Sequence, residues 1–368
     1  MHTPTSSNRE AALPRAPGLP ERERQSHRTR PLWPGLSAQG WVTVALIVLL
    51  IVLPLAAGLL EQSYLITQFR RILIFALAAL SLNLIMGYGG MICFGQAAFF
   101  GVGAYVVAFI NLAAQNAQHA GQWMLWSDPV VSWLLAAGAA AAIACIIGAV
   151  SLRTKGVAFI MITLAFAQML YFIFIGMKSA GGDDGLRFKS NLHALGFVDL
   201  SNNTIFYYVV LGILLLALWS TWRIVQARFG TVLQGSRDNE RRMKALGFNV
   251  YHYRLCAFIM AAALAGLAGG LYATHESFMS PSVMHWSRSG ELIVMVVLGG
   301  MGTVAGPIFG AMVYLTLEKF LPDVTEHWAV WFGPILVLCV LYARKGLLGS
   351  LSSKRREAAI SSTKEHHA

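Results

Sequence analysis

A few residues in this chain have the types and spacing that chemistry requires. His275 and Glu276 form the first half of the zinc-protease pattern His-Glu-x-x-His, in which two imidazoles one helical turn apart hold the metal and the carboxylate serves as base. Position 279 is Met, so the second imidazole is missing and that chemistry fails. Asp183 and Asp184, inside Gly182-Asp183-Asp184-Gly185, offer paired carboxylates to a cation. No ligand spacing follows them, which leaves a solvated turn as the simpler reading. No serine sits in a nucleophile elbow, and the dipeptide Gly-Lys never occurs, so the chain has no phosphate-binding loop. Cys93, Cys145, Cys256 and Cys339 stand singly in apolar segments, as small buried hydrophobes do. No catalytic, cofactor-binding or metal-binding set emerges. If the protein does work with ATP, the nucleotide and its Mg must sit on another subunit.

The elements that would position any site are apolar. Of 368 residues 56% are hydrophobic and only 12% charged, and mean hydropathy is +0.59. A soluble domain is about a quarter charged. The apolar residues come in runs of about twenty, the length that crosses a hydrocarbon core. The expected fold is an all-α polytopic membrane protein of ten spans: 41–60, 70–88, 92–112, 131–152, 156–177, 204–222, 254–275, 290–303, 305–320 and 328–344. Pro54 and the glycine-rich 87–103 stretch predict kinked or broken helices, which lipid tolerates only where protein or a cavity lines them.

The net charge of +11 is spread over tails and one internal loop, not over a contiguous nucleic-acid face. Arg223 to Arg254 carries seven Lys and Arg, and the 153–155 turn carries two. Together with the basic residues after 344, they place both termini in the cytoplasm by the positive-inside rule. Arg70 and Arg71 fall on the wrong side in this count. Residues 1–38 read as a disordered basic cytoplasmic tail, 39–346 as the membrane domain and 347–368 as a cytoplasmic C-terminal tail.

One stretch contradicts its surroundings. In "RDNERRMKALGF" (237–248) six of the first eight residues are charged. At about 2.5–3.5 kcal/mol per charge at a helix centre, burying six in the bilayer would cost well over 10 kcal/mol. The stretch is therefore a loop, and its pattern predicts a short amphipathic helix. Asp238 with Arg242 and Glu240 with Lys244 are spaced i,i+4 with the acid first. Met243 and Leu246 share a face, and Gly247 stands where a helix end favours glycine. A solvated connector and a helix that docks into a partner's groove both fit.

The glycine-rich segments raise a second question. "GGM" at 89–91 and at 299–301 align without a gap, Phe99 then matching Phe309, which suggests an internal repeat. Gly89, Gly90, Gly299 and Gly300 serve either close helix packing or broken helices along a pathway. Gln96 and Asn83 are amides among apolar neighbours, bonding between helices or facing a pathway. Glu291 opens the eighth expected span, where the helix dipole favours an acid.

Four segments carry a family resemblance: "LNLIMGYGGMICFGQAAFFGVGAY" (82–105), "GGDDGL" (181–186), "NERRMKALGFNVYHYRLCAFIMAAALAGLAGGLY" (239–272) and "ELIVMVVLGGMGTVAGPIFGA" (291–311). In order and spacing the chain resembles the M-type permeases of branched-chain amino-acid ABC importers from about residue 70 to 320. The resemblance implies a plasma (inner) membrane subunit, two ATPase subunits, a second homologous permease and a periplasmic or external substrate-binding protein. It implies no nucleic acid. It makes 237–248 the element that enters the ATPase and carries over Glu240, Ala245 and Gly247, with Arg237, Met243 and Leu246 completing the candidate coupling set. It suggests that Gly182, Asp183, Asp184 and Gly185 shape the outer mouth or the surface that meets a binding protein, and it adds a gating role to the structural one as a reading of Glu291. Permeases of this kind also move urea, short amides or simple sugars. A stand-alone secondary transporter is the different-class rival, but span centres almost free of ionisable residues oppose it. A membrane scaffold would leave 237–248 without a task.

Overall fold

The computed structural model describes residues 38–59, 63–116, 128–188, 193–194 and 198–324, then 327, 330–334 and 336–337. The expected N-terminal and C-terminal tails and most of the tenth span lie outside these residues. The regular structure of the described residues is helical apart from four two-residue strands. In order come α1 (Ala38–Leu59), α2 (Ser63–Asn83), a π-helical turn (Leu84–Tyr88), α3 (Gln96–Asn116), α4 (Pro129–Ser151), α5 (Val157–Gly176) and α6 (Asn203–Gln226). They are followed by α7 (Arg228–Asp238), α8 (Glu240–Ala245), α9 (Val250–Glu276), α10 (Trp286–Gly299) and α11 (Gly306–Val324).

Among the described residues six helices are long and apolar enough to cross a membrane: 64–88, 96–115, 129–151, 157–176, 203–226 and 250–276. The protein is a multi-pass, all-α membrane protein. Ten spans are not reached among the described residues, for physical reasons. Helix α10 has only 14 residues, about 21 Å against a core of about 30 Å. Helix α11 carries Glu318, Lys319 and Pro322 in its second half. In α1, which contains Pro54 as expected, the described apolar stretch is Thr43–Pro54.

Helix α9 is the centre of the bundle. Its Ala257, Ala261, Ala262, Ala265 and Ala268 are buried and pack on α2, α3 and α4. Small side chains let the backbones approach closely, which is how helices associate when lipid is as apolar as leucine. Where α3 and α9 cross, a Cβ on Gly103 would collide with the carbonyl of Gly266, and one on Gly269 with that of Phe100. Polar pins set the phase of these smooth surfaces. Trp133 Nε1 donates to Thr274 Oγ1 at 3.0 Å, and Tyr207 Oη donates to Leu50 O at 2.8 Å.

Arg70 and Arg71, misplaced by the charge count, lie in α2. Arg70 is buried with its guanidinium over the Phe206 ring, and Arg71 is 3.8 Å from Glu318. Packing within the bundle therefore accommodates them.

The glycine repeat has a structural counterpart. Helix α3 begins at Gln96 and α11 at Gly306, separated by the same number of residues as the two "GGM" motifs. Between 88 and 96, and between 299 and 306, the chain leaves the helix, with Gly90 and Gly300 both at positive φ (67° and 114°). Both units are a helix, a break and a returning helix. Their breaks meet at one end of the bundle, so the two units run in the same sense.

Candidate functional site

The two breaks are joined by one amide. Asn83, fully buried at the end of α2, donates from Nδ2 to Thr303 O at 2.8 Å and accepts at Oδ1 from Gly302 N at 2.9 Å. Two backbone groups freed by the second break are thus satisfied by the helix that leads into the first, as apolar surroundings demand. Gly89 and Gly90 lie in the first break and Gly299 and Gly300 at the second. Gln96 does not belong to this seam. Its Nε2 donates to Ser81 Oγ at 2.7 Å and to Ala261 O at 3.3 Å, so it links α3 to α2 and α9.

Arg237 comes to the seam from outside. Its Nη1 donates to Gly87 O at 2.6 Å, while its Nε is 3.3 Å from Asp238 Oδ1. A Cβ on Gly90 would collide with Arg237 Cγ, and Gly90 has φ +67°, so this position suits glycine on both counts. A Cβ on Gly302 would stand 4.0 Å from Arg237 Nη1. The guanidinium therefore lies against both breaks.

The expected single helix over 237–248 is two. Asn239 has extended backbone (φ −155°, ψ 95°) and ends α7, and its Oδ1 then caps α8 by accepting from Arg242 N at 3.0 Å. Asp238 and Arg242 thus lie on different helices, and Asp238 pairs with Arg237 instead. The Asn-Glu sequence carried this signal, since Asn is a favoured N-cap. The C-terminus is as the glycine suggested. Gly247 has φ +86°, its N–H donates to Lys244 O at 3.0 Å, and Phe248 N–H donates to Met243 O at 3.2 Å. This is a Schellman ending.

Glu240 holds α8 in place. Oε1 accepts from Lys155 Nζ at 2.6 Å and lies 2.9 Å from Lys244 Nζ; Oε2 accepts from Arg254 Nη1 at 3.2 Å. Burial pushes its carboxyl pKa up, but the hydrogen bonds from Lys155 and Lys244 and the nearby Arg254 charge outweigh that and hold it at about 2. Lys155 and Arg254 were not among the expected site residues. They lie 85 and 14 positions away, beyond any local pattern. A cavity of about 200 Å³ lies beside the cluster, lined by Gly90, Met91, Phe159, Glu240 and Arg254 among others. It brings the first break and the Glu240 cluster to one place.

With Glu240 turned inward, the outer surface of α8 is left to other side chains. Met243 packs against Gly235 of α7. Arg241, Arg242 and Ala245 are exposed, as are Leu246 (65%) and Phe248 (37%).

The remaining expected residues are at the opposite end. Glu291 lies one turn inside α10, not at its start, and accepts from Arg288 Nη1 at 2.8 Å. Its local partner is this cation, since His285 occupies the capping position. Asp183 and Asp184 are exposed, and among the described residues no group of acids, His or Cys could hold a metal. Gly185 lies where a Cβ would stand 2.6 Å from Met279 O. Just after it, Leu186–Arg187 pair antiparallel with Phe278–Met279.

A bundle that interrupts two of its helices in apolar surroundings, and ties both interruptions to a charged loop, has the construction of a membrane transport protein. The chain belongs to the family described as branched-chain amino acid transport system / permease component, whose model matches residues 64–343. It is similar to the high-affinity branched-chain amino acid transport system permease protein LivM of Escherichia coli. The two are 27% identical over 299 residues, covering 75% of this chain and 68% of that one. A probable branched-chain amino acid transport permease protein LivM of Methanocaldococcus jannaschii is 25% identical, over 75% of this chain and 90% of its own. The autoinducer 2 import system permease protein LsrC of Salmonella typhimurium is 30% identical over 136 residues, 35% of this chain and 39% of its own. No solved structure matches.

Proposed function

We propose that this chain is a permease subunit of an ATP-binding cassette importer that carries branched-chain amino acids across the inner membrane. Its partners are ATPase subunits, which hold ATP and Mg, a second homologous permease and an external substrate-binding protein. Both termini face the cytoplasm, the side on which Lys155, Arg237, Arg241, Arg242, Lys244 and Arg254 gather. The observation that carries the reading is the build of α8. It is a capped helix fastened from beneath by Glu240, with Leu246 and Phe248 exposed just past its C-terminus and Arg241 and Arg242 exposed along it. Exposed apolar side chains beside charged ones suit a protein partner's groove. Movement of α8 then reaches the bundle through α7 and α9 and exposes the pathway alternately to each side. The similarity to an autoinducer 2 import permease over 136 residues keeps a second reading open, the same importer class with another cargo such as urea, short amides or simple sugars.

The test is a mild-detergent pull-down of the tagged chain with its co-expressed partners. The parent should recover a P-loop ATPase, and Leu246→Asp should lose it with an unchanged melting temperature. A parent that comes out alone, under conditions that preserve comparable complexes, refutes the reading. Titrating the co-purified binding protein with leucine, urea and sugars then decides the cargo.

A further inference from the structure

The residues expected to meet an ATPase and those expected to line a pathway form two separate sets, and Arg237 joins them. It is the penultimate residue of α7, one position before Asp238 and two before the Asn239 bend that leads into α8. Its guanidinium lies against the seam between the breaks, bonded to Gly87 O at 2.6 Å. On the seam's other side, Asn83 holds Gly302 and Thr303. The π-helical turn at 84–88 matters here. In a π turn the carbonyl pattern shifts by one residue, and such turns often occur at functional sites. Gly87 lies inside that turn and accepts the charged bond.

The geometry points to Arg237 as a latch, a positioning residue that keeps the two broken segments closed at the basic end of the bundle and releases them when α8 moves. The claim rests on the docking role of α8 proposed above. Three features support it. The bond is charge-assisted and short, so it is among the stronger kinds of hydrogen bond. Its acceptor lies in the π-helical turn that runs into the first break, where the regular α-helical bonding pattern is already shifted. Its donor is attached to the bend that sets the position of α8, so a small swing there draws the guanidinium away from Gly87. Glycine at 90 leaves room for the side chain to lie flat on the break.

The experiment has two arms. In the first, the full chain in nanodiscs is compared with Arg237→Ala and Arg237→Lys by amide exchange. Arg237→Ala should speed exchange about tenfold or more in both 84–95 and 299–305, the loss expected for one charged hydrogen bond. Residues 240–247 should stay within twofold of the parent, and Arg237→Lys should restore part of the protection. Unchanged exchange in 84–95, or a rise confined to that segment, overturns the latch. In the second arm the complex with its ATPases is reconstituted with the binding protein. Arg237→Ala should lower the cargo moved per ATP hydrolysed about tenfold relative to the parent. An unchanged ratio overturns the latch as a coupling element. If the parent recovers no ATPase at all, the docking reading has failed, and the exchange arm still decides whether Arg237 holds the breaks together.

Discussion

Replacing Glu240 by Gln preserves the shape of the side chain and removes its charge, leaving Lys155, Lys244 and Arg254 facing one another. The side chains of Lys155 and Lys244 are 61% and 59% exposed, so each of these pairs contributes about 0.2–1 kcal/mol. The pair with Arg254 is better shielded, at 16% and 19% exposure, and a hydrogen bond to a charged group contributes about 1.5–3 kcal/mol. All three share one carboxylate and are not independent, so we take about 2–3 kcal/mol for the anchoring of α8. That amount corresponds to amide exchange faster by about 30- to 150-fold in 240–247. Exchange followed by mass spectrometry at pH 7 reads this directly, with 261–271 in the centre of α9 as the internal control. The same carboxyl sets a pH dependence. Its folded pKa of about 2 lies below the ordinary 4.5, so the anchoring is fully present above about pH 4.5 and is lost as pH falls from there towards 2. Protection of the loop, corrected for intrinsic rates, should be flat from pH 5 to 8 and decline below. A Glu240→Gln chain with protection within twofold of the parent would refute the anchoring role. So would a loss that spreads into α9.

Further outcomes follow from the seam and the pins. Asn83→Ala strands the Gly302 N–H and Thr303 C=O, costing about 2–4 kcal/mol, which a thermal melt in nanodiscs should show as a lower midpoint than the parent's. Gln96→Leu removes the link between α3, α2 and α9, at about 1–2 kcal/mol in the same assay. Gly247→Val forces a β-branched residue to φ +86° at about 1–2 kcal/mol or more, and circular dichroism should show the bundle intact while exchange in 240–247 rises.

How much of this was legible in the sequence depends on the range of the interaction involved. The apolar runs at 131–152 and 156–177 match α4 and α5 closely, because twenty apolar residues have few alternatives in a bilayer. The same reasoning placed a span from 92, whereas α3 starts at Gln96. Residues 91–95 are apolar enough for a helix, but their backbone is irregular inside the protein, and hydropathy does not separate the two cases. The Gly247 turn was readable from one residue, and the bend at Asn239 was readable but outweighed by the i,i+4 charge pattern. The Arg288–Glu291 pair lay in plain view at i,i+3. Glu240 with Lys155, Arg237 with Gly87 and Asn83 with Thr303 join residues 85, 150 and 220 positions apart, and only folding brings them together.

The alanine-rich faces of α9 have a mechanical side. Ala offers nearly the same contact at every turn, so such a face resists rotation or sliding only weakly. The polar pins therefore act as keys on smooth shafts. Gln96 keys α3 to α2 and α9, Ser289 Oγ keys α10 to the start of α3 through Ala97 N at 2.9 Å, and Trp133 keys α4 to α9. Turning a keyed helix by one residue would leave an amide, a hydroxyl or an indole N–H stranded among hydrocarbon. Helices α2, α3, α4, α9 and α10 are accordingly held in one register, so that a displacement entering through α9 is shared among them rather than lost in slipping.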